Sequence, residues 1–176
     1  MKPTAALLSI LALVGAAHAG EPTAELPEMP EILASDFEVV DLSGETVPLA
    51  DLVEEGRPVV IEFWATWCVP CRKSLPHLVD LKEKYGARLV ILGLTVEDPR
   101  EDLDKVRRFA GDNEVNFPIA FATDDLFRFM TLRPDVAVPK LFVFDGKGHL
   151  VEYIPRYSPL TPRKIRTAVR RVVHHG

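Results

Sequence analysis

The chain of 176 residues has two cysteines, and both lie in one string, Cys68-Val69-Pro70-Cys71. Cysteines three apart where a strand hands over to a helix bring both sulfurs to one side of the first turn, where a disulfide can form and break. The free amides and positive dipole end of a helix start favour a thiolate, and Arg72 and Lys73 add positive charge. Cys68 is therefore the expected nucleophile. Cys71, one turn further in, is placed to attack a mixed disulfide on Cys68 and release the reduced partner. A bridge closing so small a loop restrains the unfolded chain much less than a long-range one, so the pair reads as chemical and not as a staple.

Other uses of such a pair are weaker. Structural zinc needs four ligands, and there is no second CxxC, while His77, His149, His174 and His175 are scattered. Covalent haem attachment needs a histidine directly after the second cysteine, where Arg72 stands. A purely structural bridge stays open. So does a copper-binding chaperone using both thiols and a remote histidine. No motif calls for a bound cofactor or a resident metal.

The elements that must position the pair follow from hydrophobic pattern. Val59 to Trp64 is an apolar run of strand length, rich in β-branched and aromatic residues, leading directly into the cysteines. After Cys68, the three-to-four spacing of Leu75, Leu78, Val79, Leu81 and Tyr85 predicts an amphipathic helix ending at Gly86. Arg88 to Thr95 reads as a second buried strand, and Asp98-Pro99-Arg100-Glu101 as the start of a helix running to Gly111. A short strand is expected over Phe117 to Phe121 and a short helix over Thr123 to Met130. Leu141 to Phe144 and Leu150 to Ile154, joined by Asp145-Gly146-Lys147-Gly148, predict a hairpin. The last helix starts at Thr161-Pro162 with Ile165, Ala168, Val169, Val172 and Val173 on one face. Strands alternating with helices, closed by a hairpin and a helix, give an α/β sandwich.

The segment Val59 to Lys73, VVIEFWATWCVPCRK, resembles the core motif of thioredoxin-like proteins. With a strand near Phe37, a turn at Ser43-Gly44 and the Leu49 to Leu52 segment, the chain is most similar to the TlpA/ResA/CcmG group of exported thioredoxins, over about Asp36 to Val173. The resemblance implies a three-layer thioredoxin-like sandwich around a central mixed sheet. It implies that Glu62 is the buried acid exchanging protons with the resolving thiol. It further implies that Pro139, after Val138, is a cis-proline facing the cysteines, with the preceding backbone pairing with the substrate chain. Pro76 matches the kink of the active-site helix, and Trp64 and Trp67 the aromatics flanking the site. The activity implied is thiol:disulfide exchange. A membrane electron donor would feed a reductant of partner-protein disulfides, on apocytochrome c or on copper-site cysteines. The chain departs from the group at Lys140, where small or hydroxyl residues often follow the proline, and at Arg156-Tyr157, where no glycine follows the last strand. A peroxidase on the same fold would have a threonine three before the first cysteine, where Ala65 stands.

Lys2, the apolar run Ala5 to Ala17 and Ala17-His18-Ala19 form the pattern of a secretory signal cleaved after Ala19, so a periplasmic protein is expected. Residues 20 to 35 are proline-rich, acidic and aperiodic, which predicts a flexible linker before a domain over 36–176. The net charge of −5 argues against nucleic acid as a partner. A monomer acting on a disulfide-bearing client protein is the expectation. Charge is unevenly spread: from Gly20 to Glu62 there are 12 acidic residues and one basic, whereas Lys140 to Gly176 carries 8 basic and 2 acidic.

Overall fold

The computed structural model describes residues 25–53, 56–133 and 136–175. The leader expected over 1–19 and its cleavage site lie outside these residues. Among them no helix is long and apolar enough to cross a membrane.

The elements in chain order are α1 (Met29–Leu33), β1 (Glu38–Asp41), β2 (Thr46–Pro48), β3 (Val59–Trp64), α2 (Val69–Tyr85), β4 (Val90–Thr95), α3 (Pro99–Asp112), β5 (Ile119–Phe121), α4 (Asp124–Thr131), β6 (Lys140–Phe144), β7 (Leu150–Ile154) and α5 (Thr161–His175), with a 3-10 turn at Leu49–Leu52. The strands form one sheet in the order β2-β1-β5-β4-β3-β6-β7. β3, β4 and β5 run parallel, and β6, β7 and the β1–β2 hairpin are antiparallel to their neighbours. This is the mixed central sheet of the expected sandwich.

β3 lies near the middle of the sheet and is buried at all six positions, so its side chains divide by pleat alternation between two cores. Val60 and Trp64 pack with Leu75, Leu78 and Leu81 of α2 and with Ile165, Val169 and Val172 of α5. Val59, Ile61 and Phe63 pack on the other side with Leu126, Phe127 and Met130 of α4 and with Met29 and Ile32 of α1. Glu62 shares the pleat of Val60 and Trp64 and so belongs to the face covered by α2.

α2 starts where Cys68 caps it and Pro70 fits its first turn, and it stops at Gly86, whose φ of 54° a side chain would resist. Pro76 lies within it and removes an N–H from the helical ladder.

The linker expectation for residues 20–35 needs correcting in its described C-terminal part. Met29 to Leu33 is helical, with Met29 and Ile32 buried. Its anchor is remote in sequence: Met29 N–H donates to the Gly148 carbonyl at 2.9 Å, and the Glu28 carboxylate accepts from Leu150 N–H. A Cβ on Gly148 (φ 88°) would come within 2.9 Å of Pro30, so glycine there lets α1 sit against the β6–β7 turn. Two apolar residues one helical turn apart give too short a pattern to read as a helix.

Candidate active site

Cys68 is the N-cap of α2 and Cys71 lies in its first turn, with the two joined as a disulfide and their Cα atoms 5.3 Å apart. Cys71 N–H points at Cys68 Sγ (3.2 Å), and the Cys68 carbonyl accepts from Cys71 and Arg72 amides. The helix start therefore aims the Cys71 N–H at the Cys68 sulfur, the arrangement that stabilises a thiolate there once the disulfide is opened. Cys71 is fully buried, and Cys68 retains 3% exposure. Flanking them, Trp67 and Val69 are 57% and 60% exposed. Large apolar side chains standing in solvent beside a reactive pair form a surface suited to a partner polypeptide. Trp64, by contrast, is fully buried and packs on Phe109 at 5.2 Å, so the two tryptophans serve different surroundings.

The strand behind α2 supplies the acid. Glu62 is buried, and burial pushes its pKa up to about 8, a rise that the Ser74 hydrogen bond only partly opposes. Among the described residues its Oε2 has no hydrogen-bond partner. Ser74 Oγ reaches both Glu62 Oε1 and the Cys71 carbonyl, the latter at 3.0 Å. A hydroxyl has one proton to give. While Glu62 is protonated, it can donate to Ser74, and Ser74 to the Cys71 carbonyl; an ionised Glu62 instead draws the Ser74 proton to itself. Ser74 was not singled out from sequence, although its place one turn after Cys71 puts it on the same helix face.

On the other side of the pair, the Val138–Pro139 peptide bond is cis, and Pro139 is buried at the start of β6. β6 pairs with β3 so that Lys140 stands opposite Phe63 and Leu141 opposite Glu62. Pro70, Val138 and Pro139 line one groove, which brings the residue before Cys71 and the cis-proline to a common wall.

A second acid emerged only from the fold. Glu97 is 6% exposed, and its carboxylate accepts from Thr66 N–H (2.8 Å), Thr66 Oγ1 (2.6 Å), Thr95 Oγ1 (3.0 Å) and Lys105 Nζ (2.6 Å). Burial raises its pKa, but the hydrogen bonds from Lys105, Thr66 and Thr95 outweigh this and leave it below the usual carboxylate value. Arg72 clasps the same turn by donating twice to the Thr66 carbonyl (3.1 and 2.8 Å). The turn from Ala65 to Cys68 is thus held from both sides. Glu97→Ala is expected to cost about 2–3 kcal/mol, because Thr66 N–H and the Thr95 hydroxyl lose a buried acceptor. Urea unfolding of the oxidised protein measures this, and Glu97→Gln should recover part of the loss.

The histidines do not gather at the cysteines. His77 lines a cleft with Arg163, Arg166 and Arg170, and His149 Nδ1 lies 3.2 Å from Asp145 in the β6–β7 turn. His174 packs on Tyr85. Among the described residues no group of three or more His, Cys, Asp or Glu side chains could hold a metal ion. Among the described residues the copper alternative finds no third ligand beside the two cysteines.

Residues 31–153 match the AhpC/TSA family. The chain is 30% identical over 115 residues to "Thioredoxin-like protein YneN" of Bacillus subtilis (65% of each chain), and 32% identical over 124 residues to "Thiol-disulfide oxidoreductase ResA" of Bacillus cereus (69% of this chain and 66% of that one). The match thus spans just under two thirds of the length of these curated relatives. Among solved structures it is similar to a thiol:disulfide interchange protein of the thioredoxin family from Chlorobium tepidum, with a TM-score of 0.64 and 24% identity over 85% of this chain and 98% of that one. That likeness speaks for the fold. With the matched segment running through β3, both cysteines, the cis-proline and most of β7, the chain belongs to the AhpC/TSA family and has a thioredoxin-like fold.

Proposed function

We propose that this protein is a thiol:disulfide oxidoreductase that reduces disulfides of partner proteins outside the cytoplasm. The observation carrying this reading is the disulfide at the start of α2, with the Cys71 N–H aimed at the Cys68 sulfur and a buried acid behind Cys71. The reduced form acts. The Cys68 thiolate bonds to one client sulfur while the client S–S bond breaks, and the departing sulfur takes a proton. The ionised form of Glu62 takes the Cys71 proton, and the Cys71 thiolate attacks Cys68 Sγ, which forms the protein disulfide and releases the second client sulfur, which takes a proton from solvent. Two electrons pass from the protein dithiol to the client in each cycle. Trp67, Val138 and Pro139 form the surface on which the client lies.

The leader-like residues at the start of the sequence support a periplasmic location, and a dithiol donor in the membrane would return the electrons. Clients of the apocytochrome c or copper-site class follow from the resemblance to the TlpA/ResA/CcmG group. Equilibration of the Cys68/Cys71 couple with glutathione buffers tests the direction. A reductant predicts a potential near or below about −220 mV, whereas a value near about −120 mV is that of a strong oxidant and would reverse the reading.

A further inference from the structure

The groove that begins at Pro70 and Pro139 has a volume of about 950 Å³, and the charged residues among its described lining are of one sign. Arg133 enters it from the end of α4, Arg156 from the segment after β7, and Lys164 from the first turn of α5. All three are exposed, and none of them makes an ion pair among the described residues. Lys140 also lines the wall but is held within it: it is 7% exposed, and its Nζ donates to the Pro155 carbonyl at 3.2 Å. No described residue lining the groove is Asp or Glu. Glu152, which shares a separate depression with Lys164, does not line this one.

The three exposed cations come from three places in the chain and converge only through the fold. An ordinary solvated helix face would carry its cations on one element. Here they surround a cleft that opens beside the reactive pair, where exposed positive charge raises the local concentration of negative groups and repels positive ones. We propose that the groove selects clients by charge, binding an extended polypeptide segment that carries aspartate or glutamate next to its disulfide. The proposal rests on the oxidoreductase reading and names the substrate class of that site. The exchange chemistry is unchanged: the two electrons still pass from Cys68 and Cys71 to the client disulfide, leaving two client thiols.

The test compares the reduced full-length protein with three disulfides: a cystine peptide flanked by aspartates, the same peptide flanked by lysines, and neutral hydroxyethyl disulfide. At low salt the acidic peptide is expected to react at least about tenfold faster than the basic one, with the ratio falling toward one at high salt. The ratio should also collapse in Arg133→Gln/Arg156→Gln/Lys164→Gln and persist in Arg133→Lys/Arg156→Lys. Equal rates for the two peptides, or a preference that survives the triple glutamine variant, overturn the charge selection while reduction of hydroxyethyl disulfide keeps the oxidoreductase reading. If none of the three disulfides is reduced, the oxidoreductase reading falls and the charge selection with it.

Discussion

Cys68→Ser is expected to abolish disulfide exchange, a loss of the order of 10³-fold or more, whereas Cys71→Ser is expected to complete the first attack and stop. The asymmetry follows from position. Cys68 sits at the helix cap, where its sulfur keeps a sliver of exposure and receives the Cys71 amide; Cys71 is sealed beneath it. An incoming disulfide can reach only the outer sulfur. Without the Cys71 thiol, the mixed disulfide on Cys68 has no internal nucleophile to break it. Intact-mass measurement after mixing with a peptide disulfide should show a stable adduct of one peptide on the Cys71→Ser protein and none on the Cys68→Ser protein. An adduct on Cys71 in the Cys68→Ser protein would reverse the assignment of roles.

The second large effect concerns Glu62. The unfolded chain ionises this carboxyl near 4.5, while the folded protein holds it protonated up to about 8. Between these values the folded state binds the additional proton, so its stability is fully present below pH 4.5 and declines as the pH rises to 8, by about 1.4 kcal/mol per pH unit. Glu62→Gln has nearly the same volume and can still bond to Ser74, yet it cannot ionise. It is expected to flatten this stretch and to gain of the order of 4 kcal/mol over the parent at pH 8, with little difference at pH 4.5. Denaturant unfolding at the two pH values checks the sign. The same variant should slow release of the client from Cys68 by about 10²-fold, because Cys71 loses its proton acceptor. A gain in stability together with an unchanged release rate would leave Glu62 a buried burden with no part in the exchange.

These effects concern residues whose roles differ in how visible they were before folding. The cysteine pair, the strand leading to it and the amphipathic helix after it were legible because their patterns are local: a four-residue string, a six-residue apolar run and a three-to-four spacing. Glu62 was marked by the resemblance of its segment to the thioredoxin-like motif. Glu97 was not marked, since its partner Thr66 is 31 residues away. Parallel pairing of β3 with β4 sets Trp64 beside Thr95, and the chains leaving these two strand ends then meet at Thr66 and Glu97. Register between strands is a tertiary fact. α1 was misread as linker for the same reason, its anchoring bonds coming from Gly148 and Leu150 at the far end of the chain. The basic groove was half visible: the excess of cations after Lys140 is plain in the sequence, but their gathering around one cleft with Arg133 depends on how α4, β7 and α5 end.

The most direct test of the account is the stoichiometry of a single turnover, measured by mixing the reduced protein with an excess of a peptide disulfide in the absence of any other reductant. The account predicts two peptide thiols released for each protein molecule, together with quantitative formation of the Cys68–Cys71 disulfide. Release of no thiol, or of thiol without that disulfide forming, would contradict it.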